Sequence, residues 1–233
     1  IGNEDAVSVL TPLLEKDADV NVRAMAAFAL GEIESEKAAN ALIAVLKNTS
    51  TPVEVRARAV EAPGKIAAAL PREQEARRGE LGAAIIEALN STDQSTILFG
   101  LTAALRSRPT DAGPAIAKFL THANPRVRED AANALARLRL KDGNDQLRRL
   151  VRSDPDPIVR ANAARVLGVT EDTQSFEALV TKSTQDTDAR VRVSAIRALG
   201  SLKDPRAVEP LFARGQLLTQ KPLDSRPAEL NEI

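Results

Sequence analysis

Apolar positions along this chain recur with the rhythm of a helix, and the same rhythm returns several times. Counted from a valine taken as zero, positions +4, +5 and +8 are apolar, which makes one face of an α-helix. The run reads Val22-Arg23, Ala26, Ala27, Ala29, Leu30-Gly31 at its first appearance. It returns as Val159-Arg160, Ala163, Ala164, Val166, Leu167-Gly168 and as Val191-Arg192, Ala195, Ile196, Ala198, Leu199-Gly200. Val127-Arg128 with Ala131, Ala132, Ala134 and Leu135 follows the same line, with Ala136 in place of glycine. Val55-Arg56 with Ala59, Val60, Ala62 and Gly64 also fits, except that Pro63 replaces the leucine. Val127, Val159 and Val191 lie 32 residues apart, and a fixed period in that range marks stacked repeats instead of a closed globule.

Within each unit the alanines at +4 and +7 are small enough for a neighbouring helix to come close. The glycine at +9 is expected to end the helix, since glycine enters the left-handed region without penalty. Asp19, Asn124-Pro125, Asp154-Pro155-Asp156-Pro157 and Asp188 precede the valines; Asp and Asn cap unpaired N–H groups, and proline is tolerated in a first turn. A second apolar-periodic run follows each glycine, as in Ala39, Leu42, Ile43, Leu46, in Phe176, Leu179, Val180 and in Val208, Leu211, Phe212. Each repeat is therefore predicted as two antiparallel helices that need neighbours to bury their apolar faces. The signature Asp/Asn-Pro-x-Val-Arg-x-x-Ala-x-x-Ala-Leu-Gly resembles the HEAT repeat, in particular the short bacterial or phycobilisome-lyase-type variety, over most of residues 1–215. The resemblance implies an all-α fold, a right-handed α-α superhelix (HEAT-like solenoid) of about six to seven helix pairs. It also implies a scaffold that binds proteins, although fold by itself licenses no more than that.

Two stretches break the rhythm. Val55 and Val127 are 72 residues apart, too many for two units, and the excess is placed at 68–82, where Leu70–Gly79 reads as a polar insertion. Pro63 is expected to kink or shorten its helix. A degenerate repeat near 92–121 is phased on Ile97, Leu101, Thr102, Ala104 and Leu105, with its second helix near Ala115–Leu120. At the start, Ala6 aligns with Ala207, so the chain opens on the second helix of a truncated first repeat and lacks a polar cap. Residues 216–233 read as a linker or C-terminal tail, and the whole as a piece of a longer polypeptide.

The balance of 32 basic against 32 acidic residues argues against a dedicated nucleic-acid binder. So does the absence of Trp and Tyr, with five Phe (28, 99, 119, 176, 212) expected in the core and not as stacking platforms. No apolar run approaches the ~20 residues of a membrane span. Without cysteine, thiolate metal sites and thiol nucleophiles are excluded. His122 alone cannot build the paired His-Glu site of HEAT-like hydroxylases, so it is assigned to capping or solvation. Glu32, Glu34 and Glu36 are taken as a solvated turn, not a cation site. No cofactor is implied, and no catalytic constellation is visible.

Charge is nevertheless uneven. Residues 1–50 carry eight acidic and four basic side chains, and residues 126–152 the reverse. The repeated Arg23, Arg56, Arg128, Arg160 and Arg192 are expected to form a structural ladder, satisfying carbonyls and nearby Asp side chains along the stack. Arg137, Arg139, Lys141, Arg148, Arg149 and Arg152 form the strongest basic cluster. A concave face lined by second helices is the expected protein-binding surface, carried by Asn40, Lys47, Arg149, Arg152, Glu177, Lys182, Glu209 and Arg214. The leading reading is a non-catalytic interaction scaffold with protein partners. The alternatives are an arm of a multidomain enzyme, for example beside a cyclophilin-like prolyl isomerase domain, or a phycobilisome-type lyase subunit.

Overall fold

The computed structural model describes residues 4–220 together with Leu230 and Glu232. Among these residues the regular elements are helices: α1 (Asp5–Lys16), α2 (Val20–Ile33), α3 (Ala39–Lys47), α4 (Val53–Ala69), α5 (Glu75–Ala88), α6 (Gln94–Ser107), α7 (Ala112–Ala117), α8 (Pro125–Leu138), α9 (Asn144–Ser153), α10 (Pro157–Val169), α11 (Phe176–Gln185), α12 (Ala189–Leu202) and α13 (Val208–Thr219). Short 3-10 turns lead into α3, α11 and α13. The even-numbered helices other than α6 carry the Val-Arg signature and the odd-numbered ones the second apolar run, so α1 takes the place of a second helix. The chain divides into two compact units, Ile1–Ile116 and Ala117–Ile233. Within each unit, first helices pack on first helices (α2 on α4, α4 on α6; α8 on α10, α10 on α12) and second helices lie against them.

Four of the first helices start as the sequence predicts, whereas α4 follows Pro52 without a side-chain cap. Asp19, Asn124, Asp156 and Asp188 accept the backbone N–H groups of Asn21, Arg126, Ile158 and Arg190 at 2.7–2.9 Å, each cap contributing about 1 kcal/mol. The helix ends differ from expectation. Gly31, Gly64, Gly168 and Gly200 lie inside their helices. The left-handed residue comes three positions after Gly31, Gly168 and Gly200, at Glu34, Glu171 and Lys203, and three after Ala136, at Arg139, with φ between 54° and 57°, whereas the helix of Gly64 ends on an extended Leu70.

The repeated glycine serves close approach instead. A Cβ at Gly31 would stand 2.9 Å from the Cβ of Ala62, at Gly64 2.7 Å from the Cα of Ala103, and at Gly168 2.6 Å from the Cα of Ala198. In these three pairs the +9 glycine of one repeat rests on the +7 alanine of the next, so both positions are small there.

The irregular region also resolves differently. The polar segment expected as an insertion is mostly helix, because α5 begins at Glu75. Pro63 does not shorten α4, which at 17 residues is the longest helix. The excess chain is taken up by lengthening both helices of this repeat. In α6 the phase sits one residue earlier than predicted: Thr96, Gly100, Leu101, Ala103 and Ala104 are buried, whereas Thr102 is exposed. Thr96 occupies the valine position and hides its hydroxyl by donating to the Asp93 carboxylate at 2.8 Å.

At the C-terminal end α13 runs to Thr219, past the expected boundary at 215. Residues 221–229, 231 and 233 of the expected tail lie outside the described residues. Phe119 and Phe176 are core, but Phe212 and Val208 are exposed, because no further helix covers that face of α13 among the described residues.

The glycine contacts set a stability prediction. Gly168→Ala should lower the unfolding free energy by about 1–3 kcal/mol through overpacking. Gly200→Ala, where nothing lies within 4 Å of the new methyl, should raise it by up to about 1 kcal/mol through helix propensity. Urea unfolding of the two variants beside the parent chain measures both.

Candidate protein-binding surface

The arginine ladder is the frame on which any surface is displayed, and its connections run further than the sequence suggests. Arg128 donates from Nε and Nη2 to the two carboxylate oxygens of Asp154 at 2.8 and 2.9 Å, and from Nη1 to the carbonyls of His122 and Ala123. Arg160 repeats the arrangement on Asp186, at 2.9 and 2.8 Å, and on the carbonyls of Asp154 and Pro155. Arg192 donates to the carbonyls of Asp186 and Thr187. The partner carboxylate lies 26 residues downstream in the next repeat, not on the upstream Asp, which is occupied as a cap.

In the first unit the tie is shorter. Arg23 donates to the Leu14 carbonyl, and Arg56 to the carbonyls of Thr49 and Thr51 at 3.0 Å. The ladder aspartates have a second duty. Asp17, Asp154 and Asp186 each accept the N–H two residues on, at 2.8, 2.9 and 3.1 Å. His122 holds the same place in its repeat, with Nδ1 accepting from the Asn124 N–H at 3.1 Å, so its role is to fix a turn.

These bonds shift the ladder's titration. Arg160 is raised, chiefly by its hydrogen bond to Asp186. Burial pushes the Asp186 carboxyl up, but hydrogen bonds from Arg160, the Asp188 N–H and Lys182 together outweigh it and leave the group below its ordinary value. Asp188 is held down to about 2, first by the side chain of Arg190.

The proposed face residues divide. Asn40, Lys47, Arg149, Arg152, Glu177 and Glu209 are exposed. Asn40 accepts from Arg77 of α5 at 2.8 Å. Lys182 is half-buried and sits on Asp186 at 3.0 Å, so it belongs to the ladder. Arg214 is half-buried as well. Of the basic cluster, Arg148 is withdrawn: it donates to both oxygens of Asp172 at 2.8 Å and also contacts Asp145. Arg137, Arg139, Lys141, Arg149 and Arg152 are exposed, and none makes an ion pair or side-chain hydrogen bond among the described residues. Arg137 and Arg139 end α8, Lys141 lies in the turn to α9, and Arg149 and Arg152 lie one helical turn apart on α9 itself. Asp142 and Asp145 lie near them in sequence, but Asp145 is taken by Arg148, and the five cations make a basic strip along the α8–α9 hairpin.

Elsewhere two glutamates of the acidic turn meet cations, Glu32 contacting Lys65 and Glu36 lying 3.5 Å from Arg77. No group of three or more His, Cys, Asp or Glu fit to hold a metal occurs among the described residues, and no described helix is long and apolar enough to cross a membrane. Two features escaped the sequence reading. One is a concavity of about 720 Å³ between α5 and the α6–α7 turn, lined by Arg72, Arg78 and Arg108 but also by Glu75, Glu87 and Asp111. The other is an apolar groove between α1 and α2. The first has no sequence signal, since its charges are 30 residues apart and mixed in sign; the second follows from the unpaired α1.

The family of HEAT repeats matches residues 1–76, 81–168 and 144–216. The chain belongs to the HEAT repeats. No curated protein matches it. Among solved structures, an engineered protein from a structural genomics consortium is 25% identical, with a TM-score of 0.62 over 84% of this HEAT chain and 96% of its own. A designed armadillo repeat protein is 21% identical, also at 0.62, over 84% of this chain and 100% of its own. A chain from a structure on a phosphorylation switch controlling the interaction between cadherin and beta-catenin is 17% identical, at 0.61. This HEAT chain is covered in full and spans about half of that one, 51%. These likenesses establish the all-α repeat fold.

Two outcomes follow from the ladder. Arg160→Ala removes the forked partner of the Asp186 side chain, 2% exposed, and leaves it Lys182 and the Asp188 N–H, so it should cost about 1.5–3 kcal/mol in urea unfolding; Arg149→Ala should stay within about 0.5 kcal/mol. Because Asp186 and Asp188 are both depressed, their contribution is complete above the ordinary carboxylate value and is lost as pH falls toward about 2. Helicity followed by circular dichroism in an acid titration should therefore drop in that window, and Asp188→Asn should flatten the drop.

Proposed function

We propose that this HEAT chain is a non-catalytic protein-interaction scaffold whose second-helix side holds an acidic segment of a partner protein. One observation carries the reading. The arginines of the ladder and Arg148 are each committed to a carboxylate or carbonyl, whereas the five cations from Arg137 to Arg152 are exposed with no acid set against them. Solvated single charges on a surface contribute little to a fold, so a strip of them on α8 and α9 costs stability nothing and remains available to a ligand. A helical stack adds pre-organisation, since a rigid face loses little freedom on binding. The cadherin and beta-catenin relative, whose fold this chain shares, supports an interaction role for such a surface. Nothing in the relatives supports a prolyl isomerase arm or a lyase subunit.

Guanidinium groups on this strip favour carboxylate or phosphate oxygens, which they meet in bidentate pairs. The test is a fluorescence-polarisation titration with a labelled Glu/Asp-rich peptide, with and without phosphoserine. The double variant Arg149→Glu/Arg152→Glu should weaken binding roughly tenfold or more at low salt and leave the melting temperature unchanged. Binding that survives the double reversal removes the strip from the site. A single-stranded oligonucleotide that binds as tightly, with the same salt slope, would replace the protein partner by nucleic acid.

A further inference from the structure

The irregular repeat of the first unit puts its extra chain into one wall of a hollow. Helix α5 has 14 residues where α3 has 9 and α9 and α11 have 10. When Ala84–Leu89 is set on Ala41–Leu46, the added residues fall before Gly82. This lengthened part carries Glu75, Arg78 and Gly79 into the concavity of about 720 Å³, and Arg72 comes from the turn just before it. The α6–α7 turn is the facing wall. A Cβ at Gly82 would stand 3.0 Å from the Cβ of Pro109, so this turn rests on the first half of α5. Arg108 and Asp111 therefore stand at the Arg72–Arg78 end, and Glu87 stands at the other.

Two observations in the hollow find no account in the fold. Three arginines and three carboxylates line it, yet none of the six makes an ion pair among the described residues. Arg78 reaches only the Leu70 carbonyl, at 3.5 Å. Just outside, Arg77 is taken by Glu80 and Arg106 by Glu61. The hollow thus holds opposite charges apart. The second observation is Gly79, which lies inside α5, where glycine weakens a helix relative to alanine. It is not a +9 glycine, and a methyl group there would meet nothing within 4 Å. No contact of the fold requires it to be small; the room it leaves opens into the concavity.

The spacing selects an occupant. Arg78 and Glu87 are nine residues apart, about 13.5 Å along the helix axis, with Ala83 and Ile86 between them on the lining. Residues i and i+4 of an extended chain span about the same distance, and i, i+2 and i+4 point to one side. We infer that this concavity holds an extended segment of a partner protein with the pattern acidic–x–apolar–x–basic. The acidic residue meets the arginine end, where three cations face two carboxylates. The apolar residue covers Ala83 and Ile86, the basic residue meets Glu87, and the main chain comes close at Gly79. The inference rests on none of the α8–α9 cations, and its ligand is dipolar where that of the strip is acidic.

The test is fluorescence polarisation with the full chain. The probes are a labelled Glu-Ser-Val-Ser-Lys peptide and its reversed sequence, both blocked at their termini. One of the two orders should bind, and Glu-Ser-Val-Ser-Glu should bind the parent chain about fivefold or more weakly. Glu87→Lys should weaken the dipolar probe about tenfold and turn the preference toward Glu-Ser-Val-Ser-Glu. Gly79→Leu fills the hollow with a better helix former, so it should remove binding while the melting temperature holds or rises. Arg149→Glu/Arg152→Glu should leave this binding unaltered, so this site and the basic strip can fail separately. No binding by either order at about millimolar peptide overturns the site, as does binding that survives Gly79→Leu. A preference that Glu87→Lys does not turn overturns the charge register.

Discussion

At three junctions between repeats backbone lies against methyl, glycine at +9 on alanine at +7, and the neighbouring contacts are arranged around it. At Gly31, Gly64 and Gly168 there is no room for even one more carbon. This fixes the distance between first helices and so the depth at which valine, leucine and alanine stripes interlock. It also fixes where the arginine of one repeat can reach the next. Beside the Gly168–Ala198 contact, Arg160 spans 26 residues of chain and grips Asp186 with two bonds while holding two carbonyls of its own turn.

The two kinds of arginine then separate by geometry. Those at the +1 position are held at a helix start, where free carbonyls and a fixed carboxylate converge. Those on α9 and at the α8 end project from the far side of the apolar stripe, where nothing converges. The same residue type thus stiffens the fold in one place and is left exposed in the other, a division that follows from helical phase.

Repeat number, helix pairing, caps and most of the core are legible in the sequence because each rests on local periodicity or on a capping residue beside its helix. What escapes depends on partners distant in the chain. The +9 glycine looks like a stop signal, and only the facing alanine shows it to be a spacing residue. The upstream Asp looks like the arginine's partner until the cap claims it, although Arg128, Arg160, Asp154 and Asp186 keep the same 32-residue beat and could have been paired by that register. Thr96 hides the degenerate repeat's phase, since a threonine satisfied by its own Asp93 cap replaces a valine without changing the packing. Six of the eight proposed face residues are exposed; Lys182 and Arg214 are drawn inward by contacts that phase alone does not reveal.

The unequal reach of the ladder gives the two units different mechanical characters. In the second unit, Arg128 and Arg160 rivet neighbouring repeats through forked bonds that must shear together before the helices can part. In the first, Arg23 and Arg56 fasten only to carbonyls preceding their own helices, and adjacent repeats are tied by single contacts instead: Lys65 to Glu32, Arg77 to Asn40 and Arg106 to Glu61. Under a pull such single pairs can give way one at a time, whereas forked pairs must yield together, a difference written into which repeats keep an aspartate 26 residues after their arginine.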